Sequence, residues 1–149
     1  MICLGNICRS PMAEGILRHK AAERGINLTL DSCGTNGYHD GEGADKRAVK
    51  NLSQKGIDIS DLRSRKFKTS DFDEFDRLFV MDQSNYDNIM ALARNQADKD
   101  KVSLFLNEAY PNEHRVVPDP YFGGDEGFEH VYELLIKASD EFLNSIANV

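Results

Sequence analysis

A doubly wound α/β fold, with a four-stranded parallel sheet and helices on both faces, is what this sequence predicts. Three observations carry that expectation. Short apolar runs alternate four times with apolar residues at helical spacing, the order from which parallel sheets are built. The 149 residues are the length of one domain, and neither a repeat nor a linker divides them. Apolar residues make up 40% and charged residues 29%, the balance of a globule rather than of a disordered or fibrous chain.

Residues 2–4 form the first strand, a short apolar stub ended by Gly5-Asn6. Ser10-Pro11 then opens a helix. Ser10 or Arg9 can cap it, Pro11 suits its first position, and Met12, Ile16 and Leu17 recur at helical spacing. Gly25 stops that helix. Ile26, Leu28 and Leu30 alternate with polar partners, so residues 26–32 read as the second strand. Residues 33–43 are a glycine-rich loop. A helix from residue 45 to about 55 turns Ala48, Val49 and Leu52 inward and ends at Gly56. Residues 77–81 are the third strand, 84 to about 94 a helix, and 102–106 the fourth strand. Residues 116–124 hold Pro118 and Pro120 and form a loop. From residue 127 to 146, Phe128, Val131, Leu135, Ala138 and Phe142 mark a long amphipathic helix.

The net charge of −7 argues against a nucleic-acid partner, because phosphate backbones demand basic surface. The excess lies after residue 104, where carboxylates far outnumber Arg115 and Lys137, and it reads as a solvated acidic face on the last helix. Arg63, Arg65, Lys66 and Lys68 form a basic cluster, a solvated face before a docking patch. No apolar run approaches the ~18 residues of a membrane span, so no membrane partner is expected. Arg9 and Pro11 stand where a secretory leader would hold its apolar run. Three cysteines cannot all pair internally, which suits a reduced, cytoplasmic setting. His19, His39, His114 and His130 show no metal-ligand spacing, so neither a metal nor a cofactor is expected.

The segment from Cys3 to Ser10, between the first strand and the first helix, carries the chemistry. Its backbone N–H groups can be aimed into one concavity, a nest for an anion, to which the helix start adds its positive end. Gly5 permits close backbone approach, Asn6 tolerates the left-handed conformation such a loop needs, and Arg9 offers a planar fork to two oxygens. The fold prediction thereby gains a phosphate-binding loop. A cysteine in this field is expected to react as its thiolate. The reaction that follows is phosphoryl transfer to sulfur, then hydrolysis of the cysteinyl phosphate. A Cys-x5-Arg spacing alone occurs by chance. The internal Gly-Asn, the Ser-Pro helix start and the preceding strand make it specific.

Residues 3–11, CLGNICRSP, resemble the signature loop of the low-molecular-weight protein tyrosine phosphatases. The similarity spans nearly the whole chain. Residues 31–35 resemble the family's Ser-Ala-Gly-Thr loop, 44–48 its Ala-Asp-Pro-Arg-Ala stretch, 79–82 with Asn85 its Met-Asp-x-x-Asn segment, and 119–123 its acid loop. The resemblance implies hydrolysis of phosphotyrosine through a cysteinyl-phosphate intermediate. Cys3 would be the nucleophile, Arg9 the clamp, and the N–H groups of Leu4, Gly5, Asn6, Ile7, Cys8 and Arg9 the cradle. Ser10 would donate to the Cys3 sulfur, and Asn6 would hold the loop through the Ser32 region.

Asp119, between Pro118 and Pro120, is the expected general acid, since a phenolate leaving group is conjugate to an acid of pKa about 10. Tyr121 and Phe122 would wall the substrate ring, faced by Tyr38; Phe122 replaces a tyrosine common in the family. Cys8 has two readings: simple packing, or a reversible disulfide shielding Cys3. Cys33 stands for the family's alanine and is expected to be a small buried residue. Leu62 stands where bacterial relatives commonly carry a histidine. Relatives also place five or more apolar residues before the nucleophile, so Met1 is expected to be an interior residue of a longer first strand. Arsenate reductase and a phosphocysteine carrier of sugar uptake share this fold, but the first needs cysteines after Cys33 and the second no pairing of Arg9 with Asp119. The expected partner is a phosphotyrosine protein, and the expected assembly a monomer or weak dimer.

Overall fold

A computed structural model describes residues 1–147. The sheet is the predicted one: four parallel strands, β1 (Ile2–Cys3), β2 (Cys33–Gly34), β3 (Leu78–Val80) and β4 (Val102–Leu104), in the order β2-β1-β3-β4. Ile2 pairs with Cys33 on one side and Val80 on the other, and Leu78, Phe79 and Val80 pair with Val102, Ser103 and Leu104. Successive side chains alternate between two cores, as strand geometry requires. Cys3, Phe79 and Met81 face the core shared with α1 (Arg9–Glu23), α2 (Lys46–Ser53) and α6 (Asp125–Ala147). Ile2, Leu78 and Val80 face the core shared with α3 (Asp71–Glu74) and α4 (Gln83–Met90). A short helix, α5 (Gln96–Asp100), leads into β4, and a 3₁₀ turn, Phe105–Glu108, follows it. No described helix is long and apolar enough to cross a membrane.

Several boundaries differ from expectation, each for a local reason. Ile26, Leu28 and Leu30 do pack on the α1 and α6 core, but residues 26–32 form no ladder; pairing begins at Cys33, where β1 lies alongside. The helix after β1 begins at Arg9, not at Pro11, with Cys8 at its N-cap and no side chain bonded to its first N–H groups. Its end is as expected, with Gly25 at φ 66°. Residues 105–106 tighten into the 3₁₀ turn instead of continuing β4. The helix after β3 stops at Met90, because Arg94 turns away to pair with Asp73 and Asp98.

The cluster near residue 65 is not a uniform basic face. Arg65 bonds both oxygens of Asp71, a carboxylate only 2% exposed, and also pairs with Asp31. Those bonds set the 65–67 backbone beside β2, where Gly34 N–H donates to Arg65 O and Phe67 N–H to Gly34 O.

Candidate active site

The loop from Cys3 to Arg9 is shaped by what holds its carbonyls. A peptide group is planar and trans, so its C=O and the next N–H point in opposite directions. Thr35 N–H donates to Cys3 O (2.9 Å) and Asn36 N–H to Leu4 O (3.1 Å). Ser64 Oγ donates to Gly5 O (3.0 Å), Asp45 N–H to Ile7 O (2.8 Å), and Met12 N–H to Cys8 O (3.1 Å). With five carbonyls held outward, the N–H groups that follow them face inward, and among the described residues no protein group accepts from those of Leu4 to Cys8. The N-terminus of the 15-residue α1 points to the same place. This is a concentrated positive field without a formal charge.

Asn6 is the pivot. It sits at φ 58°, the left-handed conformation a short polar side chain tolerates. Its Oδ1 accepts from Arg65 N–H (3.1 Å), which fixes the amide orientation, and Nδ2 donates to Ser10 Oγ (2.7 Å) and Ser32 Oγ (3.0 Å). Since that nitrogen only donates, Ser10 Oγ accepts there and has its own hydrogen free. Cys3 Sγ lies 3.0 Å from Ser10 Oγ, nearer than the Cys33 carbonyl at 3.4 Å. Cys3, Asn6, Arg9 and Ser10 are all buried to within 3%.

Arg9 is anchored by one end of its guanidinium. Nη1 donates to Asp82 Oδ2 (2.6 Å) and Val117 O (3.0 Å), while Nη2 lies 3.8 Å from Asp119 Oδ2. Asp82 itself caps α4, its carboxylate accepting from Asn85 N–H while its own N–H donates to Asn85 Oδ1. Asp82 carried no role in the sequence reading; the signal for it was a carboxylate at the carboxyl end of a parallel strand, where such sheets bind ligands.

Cys3, Leu4, Gly5, Ile7, Cys8 and Arg9 line a cavity of about 530 Å³ that also takes in Tyr38, His39, Asp119, Tyr121 and Phe122. Asp119 is 41% exposed, and its Oδ1 accepts from Tyr121 N–H (3.0 Å). Tyr121 and Phe122 meet edge to face at 4.9 Å, and Tyr38 stands exposed on the opposite rim. His39, read from the sequence only as a histidine without metal-ligand spacing, is held by Glu42 at 2.8 Å and lies over Gly5, where an added Cβ would come 3.1 Å from its ring. Among the described residues the other two thiols differ from Cys3 in having no hydroxyl partner. Burial pushes the Cys8 thiol up, helped by the nearby Asp45 carboxylate, and burial pushes Cys33 up to about 12. No group of three or more metal-ligating side chains occurs among the described residues.

Comparison with known proteins points one way. The family model for low molecular weight phosphotyrosine protein phosphatase matches residues 1–149. The phosphatase of that name from Schizosaccharomyces pombe is 44% identical over 98% of this chain and 94% of its own. The low molecular weight protein-tyrosine-phosphatase of Streptomyces coelicolor is 37% identical, over 97% and 90%. The crystal structure of an Entamoeba histolytica protein tyrosine phosphatase, with Hepes in its active site, superposes with a TM-score of 0.92 at 34% identity, covering 99% of this chain and 94% of that one.

Two outcomes test the geometry. A Cβ at Gly34 would fall 2.8 Å from Leu4 O and 3.0 Å from Asn36 O, both rigid backbone. Gly34→Ala is therefore expected to displace the loop and cost about 1–3 kcal/mol, read as a lowered urea midpoint and weaker binding of inorganic phosphate. Raised thiols keep their protons at neutral pH, so iodoacetate at pH 7 is expected to leave Cys8 and Cys33 unlabelled by peptide mass mapping.

Proposed function

The chain belongs to the low molecular weight phosphotyrosine protein phosphatases and hydrolyses phosphotyrosine, and from that premise we propose that Cys3 is the nucleophile and Asp119 the proton donor of a two-step reaction. The observation that carries this reading is the 3.0 Å approach of Ser10 Oγ to Cys3 Sγ at the focus of the inward N–H groups.

In the first step the Cys3 thiolate attacks phosphorus, the S–P bond forms and the P–O bond to the phenyl ring breaks. The departing oxygen takes the Asp119 proton, sparing the release of a phenolate. Arg9 offers Nε and Nη2 to two phosphoryl oxygens, its Nη1 being committed to Asp82 and Val117. In the second step water attacks phosphorus, the Asp119 carboxylate takes the water's proton, and the S–P bond breaks. Sulfur leaves as a thiolate stabilised by the Ser10 hydroxyl and the cradle. The balance is one phosphate monoester and one water giving a phenol and inorganic phosphate.

The aromatic rim of Tyr38, Tyr121 and Phe122 supports a ring-bearing substrate, and the substrate we propose is a phosphotyrosine segment of a protein. The net charge of −7 weighs against a nucleic-acid partner. Cys8, in the cavity wall beside the nucleophile, is proposed as its reversible disulfide partner under oxidation. Three free thiols support a reducing, cytoplasmic setting, and the proposed assembly is a monomer or weak dimer.

Cys3→Ser is expected to abolish turnover of phosphotyrosine peptides while retaining their binding by calorimetry; turnover near wild type would refute the nucleophile. Asp119→Ala is expected to lower kcat/KM for phenyl phosphate roughly 10²–10⁴-fold and to spare that of esters of strongly acidic phenols. Equal losses across a leaving-group series would contradict the assignment of the acid.

A further inference from the structure

Few hydrogen bonds among the described residues tie the loop that carries Asp119 to the rest of the protein. Pro118 and Pro120 have no N–H to donate. The loop's Gly123 N–H bonds Pro120 O, within the same turn. Among the described residues, one side chain donates hydrogen bonds to residues 118–124 from outside them. That side chain is Arg47, with Nη2 on Tyr121 O (2.8 Å) and Nη1 on Gly123 O (3.1 Å).

We propose that Arg47 is a positioning residue for the reaction, clasping the acid loop to the phosphate loop so that Asp119 stands over the leaving oxygen. This rests on the reading of Asp119 as general acid. The clasp can be followed bond by bond. Asp45 N–H donates to Ile7 O (2.8 Å), inside the phosphate loop. The Asp45 carboxylate caps α2 by accepting from Arg47 N–H (2.8 Å), and it takes Arg47 Nε and Nη2 at 3.0 Å each. The far edge of the same guanidinium holds the Tyr121 and Gly123 carbonyls. Tyr121 then turns its N–H to Asp119 Oδ1 (3.0 Å). One residue is thus fixed at its C=O by Arg47 and uses its N–H to orient the acid.

The guanidinium plane is itself set by aromatic faces, its carbon 4.8 Å from the centroid of buried Phe128 and 5.5 Å from that of Tyr121. Four directed bonds in one plane, with a ring on its face, are within the reach of arginine and beyond that of lysine. Asp45 stays charged to hold it, because the Arg47 bonds keep its carboxyl below the usual carboxylate range. A purely structural role would leave the protein less stable and every substrate equally affected. A positioning role affects only steps that need the proton, since a misplacement of about 1 Å costs on the order of 100-fold.

The test compares Arg47→Ala, Arg47→Lys, Asp119→Ala and the Arg47→Ala/Asp119→Ala pair. The kcat/KM for phenyl phosphate and for 2,4-dinitrophenyl phosphate, which reads the first step alone, is measured per active site, counted by the dinitrophenol burst, so that misfolded protein drops out. Arg47→Ala and Arg47→Lys are expected to lose about 100-fold on phenyl phosphate and little on the dinitrophenyl ester. Inhibition by inorganic phosphate should be unchanged, and the double variant should match Asp119→Ala alone. Equal losses on the two esters, or losses that multiply in the double variant, would overturn the clasp while leaving Asp119 in place. A flat leaving-group response for Asp119→Ala itself would overturn both.

Discussion

A backbone N–H with no partner of its own is costly inside a protein, and this fold turns several of them toward one point. The arrangement stands because the opposite faces of the same peptide groups are occupied. Carbonyls of Cys3, Leu4, Gly5, Ile7 and Cys8 each accept a hydrogen bond, and the donors come from the segment after β2, from the cap of α2, from Ser64 and from α1. The anion site is the inner surface of a ring of outward bonds. In the proposed reaction a phosphoryl group supplies the acceptors the inner donors lack, so affinity would be built into the backbone with only Arg9 as a formal cation.

The two halves of the site are held by different means, and their chemistry asks for that difference. The phosphate loop is held by bonds on its outer side, with buried Asn6 tying together Ser10, Ser32 and the backbone of Arg65. It must meet an unvarying tetrahedral group. The acid loop is exposed and prolyl, and it carries the aromatic rim proposed to meet a peptide of variable shape. Its two requirements, tolerance at the rim and fixed placement of one carboxyl, are reconciled by holding backbone carbonyls and leaving the rings free.

What the sequence disclosed follows from which signals are local. Cys3, Gly5, Asn6, Arg9 and Ser10 lie within eight residues, so their spacing could be read directly, as could Asp119 between its prolines. The sheet class was legible from alternating apolar runs. The elements α3 and α5 were not, because four or five residues hold too little of a helical period to register. The second strand was shifted by a related limit: alternation reports which side chains turn toward the core, as partly buried Ile26, Leu28 and Leu30 do, and says nothing about where a neighbouring strand supplies a ladder. Asp82, His39 and Arg47 were missed as functional groups because each acts through a partner distant in the chain, Arg9, Gly5 and Tyr121 respectively.

The outward bonds of the phosphate loop join residues as far apart as Gly5 and Ser64, a separation of 59 positions. Contacts of such long range close late, once the chain has condensed into its native topology. A nascent or locally unravelled molecule therefore has the cysteine but not the field around it. The setting in which we propose that Cys3 acts exists only once folding is complete.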